Sequence, residues 1–270
     1  MEKKYDTISI EAIINEKMGP KAKYIPKFLI RWFEDFLHLD YINGGIQNDY
    51  KGAEFCRETI KYLGVTIEVE GLENLDNVNG RYTIASNHPL GAIDGVTMGM
   101  IFGEKFDGNI GFLANDFLMY LKGLAPICVP ISKIGSQARN LPKLLNEAFE
   151  SEKHIIIFPA GLCSRKIKGQ VTDLPWTKTF IQKSVQNKRD VVPVHFIGEN
   201  SPRFYRIANI CKFLKLKFNI AMLFLPDEMY RSRGKTFKVK IGKPIPYQTF
   251  DSSKSATEWA QYVREIAINL

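Results

Sequence analysis

The feature that most restricts this chain is a series of short apolar runs, each followed by an interval long enough for a helix. The plainest is His154-Ile155-Ile156-Ile157-Phe158. It is rich in β-branched residues, does not alternate, and is bounded by polar segments, as expected of a strand covered on both faces. Further strand candidates are Val65–Val69, Tyr82–Ala85, Ile110–Ala114, Ile127–Ile131, Val191–Ile197, Asn219–Phe224 and Phe237–Ile241. Helical spacing falls near Tyr50–Leu63, Gly95–Phe102, Gln137–Ser151, Trp176–Gln186 and Pro202–Leu214, and a closing helix covers Ala256–Ile268. Strands alternating with helices predict an α/β fold, a mixed and mostly buried sheet flanked by helices.

Residues 1–48 read as an N-terminal helical extension and residues 49–270 as the domain that carries the chemistry. Within Phe28–Asp40, at 100° per residue, Phe28, Leu29, Ile30, Trp32, Phe33, Phe36, Leu37 and Leu39 share an arc of about 200°. Arg31, Glu34, Asp35 and His38 take the remainder. Such a helix either covers the core or lies in a membrane interface, where Trp and Phe are at home. Both readings stand at this point.

Charge narrows the partners. Lys and Arg total 37 against 29 Asp and Glu, a net charge of +8, which favours nucleic acid, an anionic membrane surface or an acidic substrate. The charge is local: Lys17–Arg31 holds five basic residues and no acid, and Tyr230–Phe250 holds six and no acid. No nucleic-acid recognition motif is present, so no nucleic-acid partner is expected. No apolar run approaches the ~18 residues of a spanning helix. The charged opening segment lacks the apolar core of a secretory signal, so the cytosol is the expected compartment. Cys56, Cys128, Cys163 and Cys211 lie far apart without a C-x-x-C pair and read as buried small residues. The histidines (His38, His88, His154, His195) show no ligand spacing, so no metal is expected.

Two loops carry candidate chemistry. In Ser86-Asn87-His88-Pro89-Leu90-Gly91-Ala92-Ile93-Asp94-Gly95 a strand ends, a Pro/Gly loop follows, and a helix starts near Asp94. A histidine acting as general base needs one ring nitrogen on the reacting hydroxyl and the other held by a partner, here Asp94. The same spacing also suits Asp94 as a helix cap and His88 as an ordinary loop residue. In Phe158-Pro159-Ala160-Gly161-Leu162-Cys163-Ser164-Arg165-Lys166 a second strand empties into a turn. Gly161 permits close backbone approach to a ligand, and Ser164 and Arg165 suit an anionic or carbonyl group. An ordinary turn with solvated cations fits this spacing equally. Lys133 follows the strand candidate Ile127–Ile131 and adds a cation.

Taken in order, Asn87-His88 with Asp94, Lys133, Phe158-Pro159-Ala160-Gly161 and Val191-Val192-Pro193-Val194 resemble the motifs of the PlsC-type glycerolipid acyltransferases, the lysophospholipid acyltransferase superfamily. The resemblance covers roughly Tyr62 to Ile245. There are two departures: five residues rather than four separate the His from the Asp, and Ala160 stands where Glu is usual. Asn-His-Pro-Leu-Gly-x-x-Asp-Gly, Phe-Pro-Ala-Gly-x-x-Ser-Arg and Asp173–Phe180 are similar to one bacterial branch, the hemolysin-related acyltransferases of lyso-ornithine and lyso-glycine lipids.

That resemblance implies an O-acyltransferase on the cytoplasmic face of the inner membrane, held peripherally. The acyl chain would pass from acyl-carrier protein or coenzyme A to the hydroxyl of a lyso-amino-acid lipid, with His88 as base and Asp94 orienting it. Asn87, Lys133, Gly161, Ser164 and Arg165 are the expected substrate-binding residues, with Lys133 and Arg165 for the acceptor carboxylate. No bound cofactor is implied. A lysophosphatidic-acid or lysophospholipid acyltransferase and a catalytically silent lipid-binding protein are the alternatives. Ala160 favours the amino-acid lipid, because a buried Glu would repel its carboxylate.

Overall fold

The computed structural model describes residues 7–47, 49–76, 80–115, 121–131, 141–167, 169–214 and 220–270. Its centre is a seven-stranded sheet built from β1 (Thr66–Glu70), β2 (Tyr82–Ser86), β3 (Ile110–Asn115), β4 (Cys128–Ile131), β5 (His154–Ile157), β8 (Asp190–Ile197) and β9 (Thr236–Ile241). The spatial order is β1-β9-β8-β2-β5-β3-β4. Strands β8, β2, β5, β3 and β4 run parallel, β9 pairs antiparallel with β8, and β1 follows β9. The expected mixed, mostly buried sheet is therefore observed. The middle strand β2 is buried at every position.

Helices cover both faces. The strand period of two sends Ile84, Ile156 and Val192 to one face and Ala85, Ile155, Ile157 and Val191 to the other. The first face packs on α4 (Gly52–Tyr62) and α5 (Ile93–Lys105). The second packs on α6 (Leu141–Glu150), α7 (Thr179–Gln186) and α10 (Ala256–Ile268) through Phe149, Phe180, Trp259 and Val263. Helices α4 and α5 approach closely at small residues. A Cβ on Gly99 would meet Cys56 Sγ at 2.6 Å, and one on Gly103 would meet the Ala53 Cβ at 2.4 Å. Cys56, Cys163 and Cys211 are buried, Cys128 is half-buried, and all four thiols are free. Ahead of the sheet, α1 (Ile10–Met18), a 3-10 helix (Gly19–Tyr24), α2 (Lys27–Phe36) and α3 (Leu39–Ile46) put Ile10, Ile30, Leu37, Leu39 and Ile42 into the core of the first face. Helix α8 (Pro202–Phe213), a 3-10 helix (Ile220–Phe224) and α9 (Leu225–Arg231) close the carboxyl end of the sheet.

Three expectations are corrected. The helix expected over Phe28–Asp40 is broken: α2 stops at Phe36 and His38 adopts the left-handed conformation, φ 55°. His38 stacks on Tyr230 at 3.7 Å, and its Nδ1 lies 3.1 Å from Asp227 Oδ1 without a hydrogen bond, contacts no local pattern displays. The strand expected at Asn219–Phe224 is a 3-10 helix from Ile220, with Asn219 outside the described residues; a short apolar run does not by itself separate the two. Helix α7 starts at Thr179 rather than Trp176, because the Trp176 indole turns inward to bond Asp173. The periodicity also passed over α1, α9 and a small hairpin, β6 (Arg165–Ile167) with β7 (Gln170–Thr172). Residues 137–140 of the expected helix before α6 lie outside the described residues.

At the amino end of the central strands, the fully buried Arg189 donates to the carbonyls of Phe149, Ser151, Lys153 and Tyr82. It ties the entries of β2, β5 and β8 together. Burial, with Arg81 nearby, lowers its pKa to about 10, so it is still charged at neutral pH. Arg189→Met should leave several buried carbonyls without donors, at a cost of about 3–5 kcal/mol. Urea unfolding should show this as a lower midpoint with an unchanged slope; a midpoint like wild type would remove the tie from the account.

Candidate active site

The candidate residues meet where parallel neighbours β2 and β5 end side by side. Their register pairs Ala85 with Ile157, so the loops that follow, His88 from one and Phe158–Gly161 from the other, leave the sheet together. Carboxyl ends of parallel strands are where open α/β sheets place ligands. His88 stacks on Phe158, centroids 4.0 Å apart and 18° from parallel. Its Nδ1 lies 3.0 Å from Asp94 Oδ2.

Asp94 organises the loop. It is fully buried in the first turn of α5, and Oδ2 also accepts from the backbone N–H groups of Leu90, at 2.9 Å, and Gly91, at 3.1 Å. The wider His-to-Asp spacing is absorbed by Gly91, whose φ of 81° curls the chain back toward the carboxylate. A Cβ there would meet Cys163 Sγ at 2.3 Å. A carboxylate only accepts, so Nδ1 carries the proton and Nε2 is left as the basic nitrogen. Asp94 is not the helix cap, since Ala92 holds that position and makes no side-chain cap bond; the Asp94 carboxylate instead partners His88 and the loop, and its Oδ1 accepts from the Gly95 N–H at 2.9 Å.

Burial works against a charged imidazole, but the Asp94 carboxylate and its hydrogen bond outweigh it. Asp173 adds to them and Arg165 subtracts, so the His88 pKa ends above its ordinary value. Burial likewise opposes ionised Asp94, yet His88 and the backbone donors hold its pKa below the usual carboxylate range.

Asp173 is the residue the spacing argument missed. Its Oδ1 accepts from the His88 backbone N–H at 3.2 Å and from Ser164 Oγ at 2.7 Å, and its Oδ2 accepts from Trp176 Nε1 at 2.8 Å. The Ser164 N–H in turn donates to the His88 carbonyl at 2.8 Å. His88 is thereby clamped through its own main chain by both partners. The visible signal was Asp-x-x-Trp just beyond the second loop, a buried acid with an indole donor. Burial raises the Asp173 pKa against the pull of these donors.

The other expected site residues divide. Asn87 does not face the pocket: its amide donates to the Phe196 carbonyl at 2.9 Å and accepts from the Phe196 N–H at 2.7 Å, extending the β2–β8 pairing by one side chain. The Ser164 hydroxyl is taken by Asp173, which makes Ser164 a support for His88 rather than a ligand contact. Gly161 lines the pocket with φ 69°, but its N–H closes a turn on the Phe158 carbonyl at 3.0 Å and is not directed at a ligand. Arg165 braces the carbonyls of Cys163 and Ser164 through one guanidinium nitrogen. Lys133 lies outside the described residues. Cys163 beside the loop is a poor nucleophile, since burial pushes its thiol pKa up to about 12.

From His88 an apolar pocket runs inward between the sheet and α5, lined by Val96, Phe112, Leu124, Ile127, Met222 and Leu225 with Cys56 among them. A base in the wall of an apolar slot suits a reaction in which a hydrocarbon-bearing group loses or gains a proton at its polar end. Histidine titration by NMR should find His88 above 6.5, and Asp94→Asn should lower it, because burial and Arg165 are then opposed by Asp173 alone. A wild-type value at or below 6.5 would contradict the pairing.

Comparison with known proteins converges on one chemistry. The Acyltransferase family model matches residues 12–270. The chain is 50% identical over 265 residues to a lyso-glycine lipid O-acyltransferase of Phocaeicola vulgatus, covering 97% of this chain and 95% of that one. It is also 50% identical over 265 residues to a lyso-glycine lipid O-acyltransferase of Bacteroides thetaiotaomicron, covering 97% of each. Among solved structures, the 1-acyl-sn-glycerophosphate acyltransferase PlsC of Thermotoga maritima superposes with a TM-score of 0.50 at 18% identity, over 80% of this chain and 74% of that one. This last likeness concerns the fold alone. With family model and relatives both spanning nearly its whole length, the chain belongs to the Acyltransferase family.

Proposed function

We propose that this acyltransferase moves a fatty acyl chain from a thioester, on acyl-carrier protein or coenzyme A, to the hydroxyl of a lyso-amino-acid lipid, with lyso-glycine lipid as the first acceptor to test. The observation that carries the reading is the His88–Asp94 pair, whose ring lines the apolar pocket with Nδ1 held by Asp94. Nε2 takes the proton of the acceptor hydroxyl while the oxygen attacks the thioester carbonyl carbon. The tetrahedral intermediate collapses with cleavage of the carbon–sulfur bond, and the imidazolium returns the proton to the leaving thiolate. Asp94 steadies the imidazolium in between, which is the task of the third group in such relays.

The activity of the relatives supports the acceptor class, and so does the local chemistry. Ala160 packs its methyl against the second apolar cluster and adds no carboxylate to the loop. Arg165 lies close enough to His88 to act on its titration, and two of its guanidinium nitrogens are outside the contacts with Cys163 and Ser164. It is our choice for the headgroup carboxylate, with Lys133 as a second cation. The setting we propose is the cytoplasmic face of a membrane, reached peripherally; no helix among the described residues is long and apolar enough to cross one.

The test is acyl transfer to lyso-glycine lipid, lyso-ornithine lipid and lysophosphatidic acid, each with both thioester donors. Transfer to an amino-acid lipid should fall by ~10²–10⁴ in His88→Ala. In wild type kcat/KM should rise with pH through a pKa above 6.5, since the base works only unprotonated and its pKa is raised. Transfer to lysophosphatidic acid alone would overturn the acceptor assignment.

A further inference from the structure

The loop that carries His88 and Asp94 is also held from outside, by Asn200. This residue sits between β8 and α8 and is buried, 6% exposed. Its side-chain nitrogen donates to the carbonyls of Pro89, at 3.2 Å, and Leu90, at 3.1 Å. These carbonyls belong to the two peptide groups whose N–H ends, on Leu90 and Gly91, donate to Asp94 Oδ2. In a trans peptide the C=O and the N–H point opposite ways. One amide nitrogen and one carboxylate oxygen therefore grip the same pair of peptide groups from opposite sides. The position is chemically restrictive: an asparagine amide brings two donors on one short arm, whereas a hydroxyl brings one and an ionised carboxylate none.

Asn200 is itself fixed. Its backbone N–H donates to the hydroxyl of the buried Tyr205 at 3.0 Å. The next residue, Ser201, donates from its N–H and its hydroxyl to the buried Glu228 carboxylate of α9. Asn200, Tyr205 and Glu228 all lie outside the pocket lining. We propose that Asn200 is a positioning residue for the reaction: by holding the Pro89 and Leu90 carbonyls it aims the Leu90 and Gly91 N–H groups at Asp94, and so keeps that carboxylate in line with His88 Nδ1. A donor on a peptide carbonyl also polarises the peptide and strengthens its N–H as a donor, so the effect carries from Asn200 through the loop to Asp94. Without the amide, the Leu90 and Gly91 peptides can turn, and Oδ2 loses the two donors that fix it beside the His88 ring. The inference rests on His88 as the base of the proposed acyl transfer, but its first readout does not.

Full-length protein isotopically labelled at histidine reports the His88 Nδ1–H as a downfield proton resonance, assigned by its absence in His88→Gln. Asn200→Leu keeps the volume and removes both donors, so a packing role alone would survive it. In that variant the resonance should move upfield or vanish through exchange with water. The kcat for acyl transfer should fall by about 10–10²-fold, with the KM for the lipid acceptor near wild type, because the lost contact touches no substrate. If thermal melting shows that Asn200→Leu does not fold, Tyr205→Phe decides instead. It removes the acceptor of the Asn200 N–H and should shift the same resonance and lower kcat in the same direction. A wild-type resonance and kcat in the deciding variant would overturn the proposal. So would a change in KM alone, or a fall in kcat with the resonance unmoved, since either would put the effect somewhere other than the His88–Asp94 pair. If the wild type transfers to no acceptor while the deciding variant still loses the resonance, the acyl-transfer reading fails and the hold of Asn200 on Asp94 stands.

Discussion

Which nitrogen of an imidazole is left as the base is set by what holds the other, and here the holder is a carboxylate with no access to water. Asp94 collects the Nδ1 proton of His88 and the backbone N–H groups of Leu90 and Gly91 on a single oxygen. Those contacts give the loop its shape, choose the tautomer and set the charge balance of the site. The fully buried carboxylate is stable as an anion because every approach to it is a donor. The clamp formed by Asp173 and Ser164 acts on a different part of the same residue, its backbone, so His88 is fixed at both ends of its side-chain bond.

The sheet makes this possible by a matter of register. Parallel neighbours β2 and β5 finish level with each other, which puts the ring of Phe158 under the ring of His88 without any long-range adjustment. The third strand of the group, β8, reaches the loop through Asn87, whose amide behaves as one more rung of the ladder. Structural polar residues therefore surround the reactive one, and their hydrogen bonds are satisfied within the protein rather than offered to a ligand.

Much of this was legible in the residues. Strands that fill a buried sheet must be nearly continuous in apolar residues, so β2, β5 and β8 declared themselves, and a histidine in a glycine-bearing loop after the central one marked the site. What local pattern hides is partnership at a distance. Asn87 looked like a ligand because an amide is polar, yet its partner is 109 positions away in the chain. The ring at the His38 break sits beside Asp227 and Tyr230, and the importance of Asp173 depends on donors from three separate segments. The aromatic arc of the Phe28–Asp40 stretch was visible as an arc, but which half of it faced the core was decided by packing against Phe224. Lys133 was legible only as a cation and gains no structural account among the described residues.

Arg189 gives the architecture a direction. It gathers carbonyls at the amino ends of the strands whose carboxyl ends carry the candidate site, so the Arg189 tie and the His88 loop lie a strand length apart. An engineer seeking a hardier version of this protein can work on the strand entries, because tightening them leaves the loops of the candidate site at the other end untouched.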